Sequence, residues 1–329
     1  MKLQKMALVF LLVAFSLSAV ACSRSSNSGA TPSAGATDSV AAFLGRWDLT
    51  IKATDREYSS WLELSQENGQ LKAQMVGRWG NARPLPKVEI TGGRLTFVSP
   101  KEQEEDHHED MVFEATLIGD TLSGTTKGPD GATWPWTGVR APALKKGDTP
   151  KWGKPISLFN GNDLTGWTPS QSTSSTVWKV EKGNLITPGE GPELISNSKF
   201  QDFKLHVEFN SGANSNSGVY LRGRYEVQIE TDSVDDPPSH HTAGVYGFLA
   251  PSPELPRKPG EWQTFDITLL GRMITVVQNG QTVIDDQEIP GITGGALDSH
   301  EELPGPIYLQ GGEKGRVAYR SIVITPTEQ

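Results

Sequence analysis

The stretch Gly218-Val219-Tyr220-Leu221-Arg222-Gly223-Arg224-Tyr225-Glu226-Val227-Gln228-Ile229-Glu230 is the most telling part of the chain. From Tyr225 to Glu230 apolar and polar residues alternate without a break. Successive side chains on a strand point to opposite faces. Tyr225, Val227 and Ile229 therefore share one face, and Glu226, Gln228 and Glu230 the other. Side chains two apart stand about 6.5–7 Å from each other on one face. The polar face thus carries two carboxylates around a central amide, with Arg222 and Arg224 just upstream. On the open face of a sheet, such a row can grip a sugar and move protons on it. A solvated strand face shows the same alternation, so the rest of the chain must separate the two.

Outward from this strand, no stretch of the chain after residue 42 keeps a 3.6-residue apolar period. Turn residues recur often, with 35 glycines and 22 prolines in all. Together these features indicate an all-β protein. Residues 156–325 show long strands and long loops. Strands are expected at 156–159, 178–181, 184–186, 193–196, 203–209, 218–222, 225–229, 243–248, 262–270, 273–278, 281–285, 307–309 and 317–324. Asn279-Gly280 between two alternating runs is a strong hairpin signal. This many strands suits a two-sheet sandwich.

Residues 43–140 form a second body, with strands expected at 46–52, 59–64, 71–76, 87–91, 94–97, 111–117, 121–126 and 134–139. Short antiparallel strands in under a hundred residues indicate a small up-and-down barrel. Gly45-Arg46-Trp47 opens the first strand and Arg140 follows the last. This resembles the lipocalin-like pattern, in which an early Gly-x-Trp packs near a late Arg. An accessory role is expected for this barrel, ahead of a ligand cup. The charge run at 101–110 contains His107 and His108, a pair able to bind a transition metal. Adjacent strand positions face opposite ways, so a solvated loop is the expectation, and no metal site is assigned. Residues 141–155 hold three prolines and no apolar period, as a linker would. With nothing in the linker to bury, the two bodies are expected to fold separately.

The N-terminus sets the compartment. Lys2 and Lys5 precede an apolar run over 6–21 that is short for a membrane span and suited to a signal-peptide core. It ends in Ala19-Val20-Ala21-Cys22, which resembles a bacterial lipobox with Ala19 where leucine is commoner. Cys22 is the only cysteine. The expectation is a signal peptide over 1–21, lipidation of Cys22, and a flexible tether over 22–42 rich in Ser, Gly, Ala and Pro. That places the protein in the bacterial cell envelope, anchored to the membrane by lipid. A formal charge of -9 argues against nucleic acid as a partner.

Several segments of the second body together resemble one family. They are Ser157-Leu158-Phe159-Asn160-Gly161-Asn162-Asp163-Leu164-Thr165-Gly166-Trp167, Asp202-Phe203-Lys204-Leu205, and Asn216 through Gln228. Further along come Tyr246-Gly247 with Ala250-Pro251, Pro259-Gly260-Glu261-Trp262-Gln263, Asn279-Gly280 and Gly305-Pro306-Ile307-Tyr308-Leu309-Gln310. In this order and spacing the set resembles the 3-keto-disaccharide hydrolase family, long catalogued as a domain of unknown function. The resemblance implies a concanavalin A-like jelly-roll sandwich whose concave sheet binds carbohydrate. It covers 156–325; the barrel lies outside it. Family-16 glycoside hydrolases share this fold, with a catalytic strand reading Glu-x-Asp-x-Glu. Here Gln228 replaces the central Asp, and an amide cannot tune its flanking carboxylates as a third carboxylate would.

The resemblance implies substrates oxidised to a ketone at sugar carbon 3, supplied by a sugar 3-dehydrogenase acting upstream. A ketone there acidifies the hydrogen on carbon 2. A base can remove it, and the group on carbon 1 then leaves by β-elimination; added water gives net hydrolysis. Glu226 is the candidate base and Arg222 the candidate stabiliser of negative charge. Glu230 is the candidate acid or a rim group. Gln228, Tyr220 and Tyr246 are candidate substrate contacts. His241, in a long loop after Asp235-Asp236-Pro237-Pro238, is a further candidate. A plain salt bridge is the competing role for Arg222. No cofactor is expected, although a divalent metal could replace Arg222 in holding the enolate. The rival readings are a non-catalytic carbohydrate-binding lipoprotein, a family-16-like glycosidase and a protein-binding scaffold.

Overall fold

A computed structural model describes residues 39–101, 109–145, 147, 149–171, 178–187, 189, 191–231, 235–311 and 315–328. Residues 1–38, where the signal peptide, Cys22 lipidation and most of the tether are expected, lie outside the described residues, as do His107 and His108. No α-helix occurs among those described.

The barrel strands are β1 (Gly45–Lys52), β2 (Glu57–Glu67), β3 (Gln70–Val76), β4 (Arg83–Pro84), β5 (Lys87–Thr91), β6 (Arg94–Ser99), β7 (Met111–Ile118), β8 (Thr121–Lys127) and β9 (Thr133–Arg140). They form one curled sheet in the order β4-β3-β2-β1-β9-β8-β7-β6-β5. Each strand lies beside its sequence neighbour, and β1 pairs antiparallel with β9. The barrel strand missed from sequence, β4, has two residues; its Pro84 cannot donate to a ladder. Alternate residues fill the interior. Phe97 stacks on Phe113 at 4.8 Å, and Trp136 meets each of them edge-on at 5.9 Å. The Gly-x-Trp reading holds. The Arg140 guanidinium lies 3.9 Å from the centre of the Trp47 ring and donates to the Leu44 and Ala42 carbonyls.

The sandwich strands are β10 (Ile156–Ser157), β11 (Trp167–Pro169), β12 (Lys179–Glu181), β13 (Asn184–Ile186), β14 (Leu194–Phe200), β15 (Phe203–Ser211) and β16 (Asn216–Leu221). There follow β17 (Tyr225–Glu230), β18 (Trp262–Leu270), β19 (Met273–Gln278), β20 (Gln281–Glu288), β21 (Gly305–Leu309) and β22 (Val317–Pro326). The larger sheet runs β12-β13-β22-β15-β18-β19-β20 with β10 on β22; the smaller runs β11-β14-β21-β16-β17. Leu205, Val207 and Phe209 from β15 meet Val219, Val227, Ile229 and Leu309 of the smaller sheet in one core. Each such side chain contributes about 1.5–3 kcal/mol on burial. The expected strand at 243–248 does not form. Ala243 (φ 71°) and Gly247 (φ 72°) turn the chain there instead.

Ala36–Gln329 packs as one compact unit, with barrel and sandwich in contact. The outer face of β1 and β2 docks on the sandwich. Arg46 bonds Glu288 at 2.8 Å, and the Thr50 and Ser299 hydroxyls meet at 2.6 Å. Trp61 joins the sandwich core and meets Phe248 edge-on at 5.3 Å. A Cβ on Gly291 would come within 2.7 Å of the Trp61 ring. The linker also has partners: Arg272 donates to the Pro142 carbonyl at 2.5 Å, and its backbone N–H donates to Leu144.

Candidate active site

Arg222-Gly223 makes the turn between β16 and β17. Both residues take left-handed φ, 53° and 69°, and Arg224 N–H donates to the Leu221 carbonyl at 3.0 Å. Three residues, Arg222, Gly223 and Arg224, thus connect the paired Leu221 and Tyr225. It sets the register: Tyr220 lies opposite Glu226, Gly218 opposite Gln228 and Asn216 opposite Glu230. Tyr225, Val227 and Ile229 enter the core as the alternation requires.

The polar row does face the other way, but it is not open. Glu226 and Gln228 are 3 % exposed and Glu230 6 %. The free edge of β17 is closed by loops. Glu226, Gln228 and Glu230 donate their N–H groups to Thr293 Oγ1, Gly244 O and Thr242 Oγ1 at 3.0–3.1 Å. Their carbonyls accept from Tyr246 N, Ala243 N and Thr242 Oγ1 at 2.5–3.0 Å. A sheet edge sealed in this way cannot pair with another chain.

At the centre, the Tyr220 hydroxyl donates to Glu226 Oε2 at 2.8 Å and lies 2.7 Å from the Gly294 carbonyl. The Tyr220 ring stacks on Tyr308 at 4.1 Å. Burial, then the Glu226 carboxylate, holds the Tyr220 phenol protonated far above its ordinary range. Gly218 makes room for the acid: a Cβ there would lie within 2.8 Å of Glu226 Cδ. A carboxyl beside a fixed, protonated phenol supplies one proton acceptor and one hydrogen-bond donor at the same point.

The other predicted residues distribute unevenly. Arg222 does not join Glu226. Its buried guanidinium goes to the opposite face, donating to Tyr225 Oη at 3.0 Å and the Gly271 carbonyl at 2.7 Å. Gln228 turns its Oε1 to the Ile229 N–H at 3.1 Å. Tyr246 is beside the site and stacks on His240 at 4.3 Å. His241 is held in its own loop, with Nε2 3.1 Å from the Asp236 carbonyl and Nδ1 3.0 Å from Glu254. His240 is the better placed of the two. Burial lowers its pKa, and it stands near Arg83 of the barrel.

Sequence reasoning missed Tyr308, Thr293 and the role of Gly218. Gly218 had a signal, since a glycine inside a strand pattern marks a close approach. Tyr308 shares a face with Tyr220 only through the pairing of β21 with β16. Among the described residues, no group of three or more His, Cys, Asp or Glu is placed to hold a metal ion.

Residues 154–325 match the family model of the 3-keto-alpha-glucoside-1,2-lyase-like domain. A 3-keto-disaccharide hydrolase of Bacteroides thetaiotaomicron is 20 % identical over 166 residues, which span 40 % of this chain and 57 % of that relative. A candidate glycosyl hydrolase structure from Parabacteroides distasonis is 26 % identical, covers 55 % of this chain and 92 % of its own, and superposes with a TM-score of 0.45. A second from that organism is 21 % identical, covers 52 % and 98 %, and gives a TM-score of 0.41. The family match takes in both sheets of the sandwich and the Tyr220–Glu226 pair between its ends, so the chain belongs to the 3-keto-alpha-glucoside-1,2-lyase-like domain family.

Proposed function

We propose that this protein cleaves glycosides oxidised to a ketone at sugar carbon 3, with Glu226 as the base. Glu226 takes the proton from carbon 2, and the C–H electron pair forms an enolate with the ketone. The enolate then collapses, the C1–O bond breaks, and the leaving oxygen takes a proton. Addition of water to the resulting double bond gives net hydrolysis. The observation that carries this reading is the Tyr220–Glu226 hydrogen bond of 2.8 Å on a buried sheet face. The phenol has one proton and two acceptors in reach. Once Glu226 is protonated, that donor can turn to the enolate oxygen or the leaving oxygen. Tyr220 thereby takes the stabilising role that the sequence suggested for Arg222.

Ordinary paired-carboxylate hydrolysis fits less well. Gln228 stands between Glu226 and Glu230 where a family-16 strand carries its central Asp, and an amide cannot tune the flanking carboxylates as a third carboxylate would. Family membership supports action on glycosides, and the name of the Bacteroides relative supports the keto-sugar class. Such a substrate must come from a reaction that oxidises a glycoside at carbon 3.

Turnover of a 3-keto-glucoside against its unoxidised parent tests the reading. The wild type should cleave the former alone, and Glu226→Gln should lose at least about 10²-fold in rate. Deuterium at carbon 2 should slow the reaction if proton removal limits it. Wild-type turnover by Glu226→Gln moves the base elsewhere. Sugar binding by the wild type without cleavage of any 3-keto-glycoside favours a binding module.

We further propose that Cys22 carries lipid and anchors the protein in the cell envelope, as Ala19-Val20-Ala21-Cys22 after an apolar run suggests. Cys22→Ala should release the protein from the membrane fraction or block its processing. A variant processed and retained like the wild type sinks the anchor.

A further inference from the structure

A cavity of about 300 Å³ lies in the seam between barrel and sandwich. The barrel lines it with Arg56, Tyr58, Arg78 and Trp79, and the sandwich with Glu193 and Tyr308 among others. It borders the site described above. Tyr308, in its wall, stacks on Tyr220 at 4.1 Å. Gly295, also in its wall, marks where the two bodies meet: a Cβ there would stand 2.7 Å from Tyr220 Oη and 3.3 Å from the Trp79 ring. Gly295 N–H donates to the Arg78 carbonyl at 3.2 Å, so the barrel loop holds the loop that covers Tyr220.

We propose that the barrel supplies the outer wall of the substrate site, and that a neutral sugar ring of the glycoside binds in this cavity against Trp79. The proposal rests on the keto-glycoside reading for which ring is involved, but not on the identity of the base. Three observations carry it. The cavity matches the small end of the range for ligand sites. Its walls join flat rings (Tyr58, Trp79, Tyr308) to polar groups, and a pyranose offers both C–H faces and hydroxyls. Its charges balance, Arg56 and Arg78 against Glu57 and Glu193, which suits an uncharged ligand over an anion. Arg78 is held by Asp55 at 2.6 Å and lies over Tyr58 at 5.5 Å. Its buried Nε has no hydrogen-bond partner among the described residues and can donate to a sugar hydroxyl.

Calorimetric titration of the full chain with maltose, trehalose and methyl α-glucoside tests this. These unoxidised sugars report binding without cleavage on the proposed chemistry. At least one should bind the wild type, and Trp79→Ala should weaken it about tenfold, the scale of one lost aromatic contact. Arg78→Gln should weaken it as well. Should Trp79→Ala unfold, Trp79→Leu keeps the bulk, loses the flat ring and should show the same loss. Equal affinity in wild type and the folded Trp79 variant overturns the proposal, as does a wild type that binds none of the three sugars. Normal turnover by Glu226→Gln would displace the base and leave this result standing, so the two readings fail separately.

Discussion

Gly218 shows how one absent atom shapes the site. A side chain there would run into the Glu226 carboxyl, so Gly218→Ala must push that group off Tyr220 or distort the strand. Overpacking of this kind costs about 1–3 kcal/mol, and misplacing a reacting group by an ångström costs about 10²-fold in rate. Gly218→Ala should therefore melt lower than wild type and turn over a 3-keto-glucoside about 10²-fold more slowly. A variant matching wild type in both would show that Glu226 has room to spare. The same scale explains Arg222. It shares parity with Tyr220 and Glu226, so simple alternation puts it on their face. It is a turn residue at φ 53°, however, and the left-handed backbone sends its side chain to the other side.

At the scale of the element, β17 depends on its loop as much as on β16. Its alternation was legible in the sequence, as was the Asn279-Gly280 turn, with φ of 50° and 82°. The sealing of its edge was not, since the donors and acceptors come from residues 242–246 and 293. Thr242 is the clearest clamp: its hydroxyl accepts from Glu230 N–H at 3.0 Å and donates to Glu230 O at 2.5 Å. Thr242→Val keeps the shape and orphans both groups where water is scarce. Unfolding in urea should show a loss of about 1–3 kcal/mol. An unchanged midpoint would mean that another group takes over the pairing.

For the whole molecule, the telling residue is Asp48, 1 % exposed in the seam on the outer face of β1. Burial and the neighbouring Glu301 carboxylate push its pKa from 3.8 up to about 9, against the pull of Arg272. Arg272 pairs with Glu301 at 3.2 Å, and Tyr225 donates to Glu301 at 2.5 Å. Between pH 3.8 and about 9 the folded chain keeps the Asp48 proton that the unfolded chain has lost. Stability from this group is thus greatest below its unfolded pKa and falls as pH rises toward the folded one. Asp48→Asn should remove that slope and raise stability at pH 8 by more than about 1 kcal/mol. Denaturant midpoints at pH 5 and pH 8 measure it; a wild-type slope in the variant sinks the assignment.

By itself, the sequence determined what repeats at short range. Period-two alternation and turn chemistry placed most strands and the polar row Glu226-Gln228-Glu230, while the resemblance to the lipocalin-like pattern implied the contact of Gly45-Arg46-Trp47 with Arg140. The ordered motifs of 156–325 were enough to identify the family. Tertiary structure alone decided what lies against each face. Arg46, Asp48 and Thr50, alternate residues on one face of β1, meet Glu288, Glu301 and Ser299, some 240–255 positions away. Trp79 reaches the rim of the candidate site from outside the family domain. Alternation separates two faces because the backbone is pleated, but the partner of a face is chosen by burial and polar pairing across the whole fold, and no local pattern carries that choice.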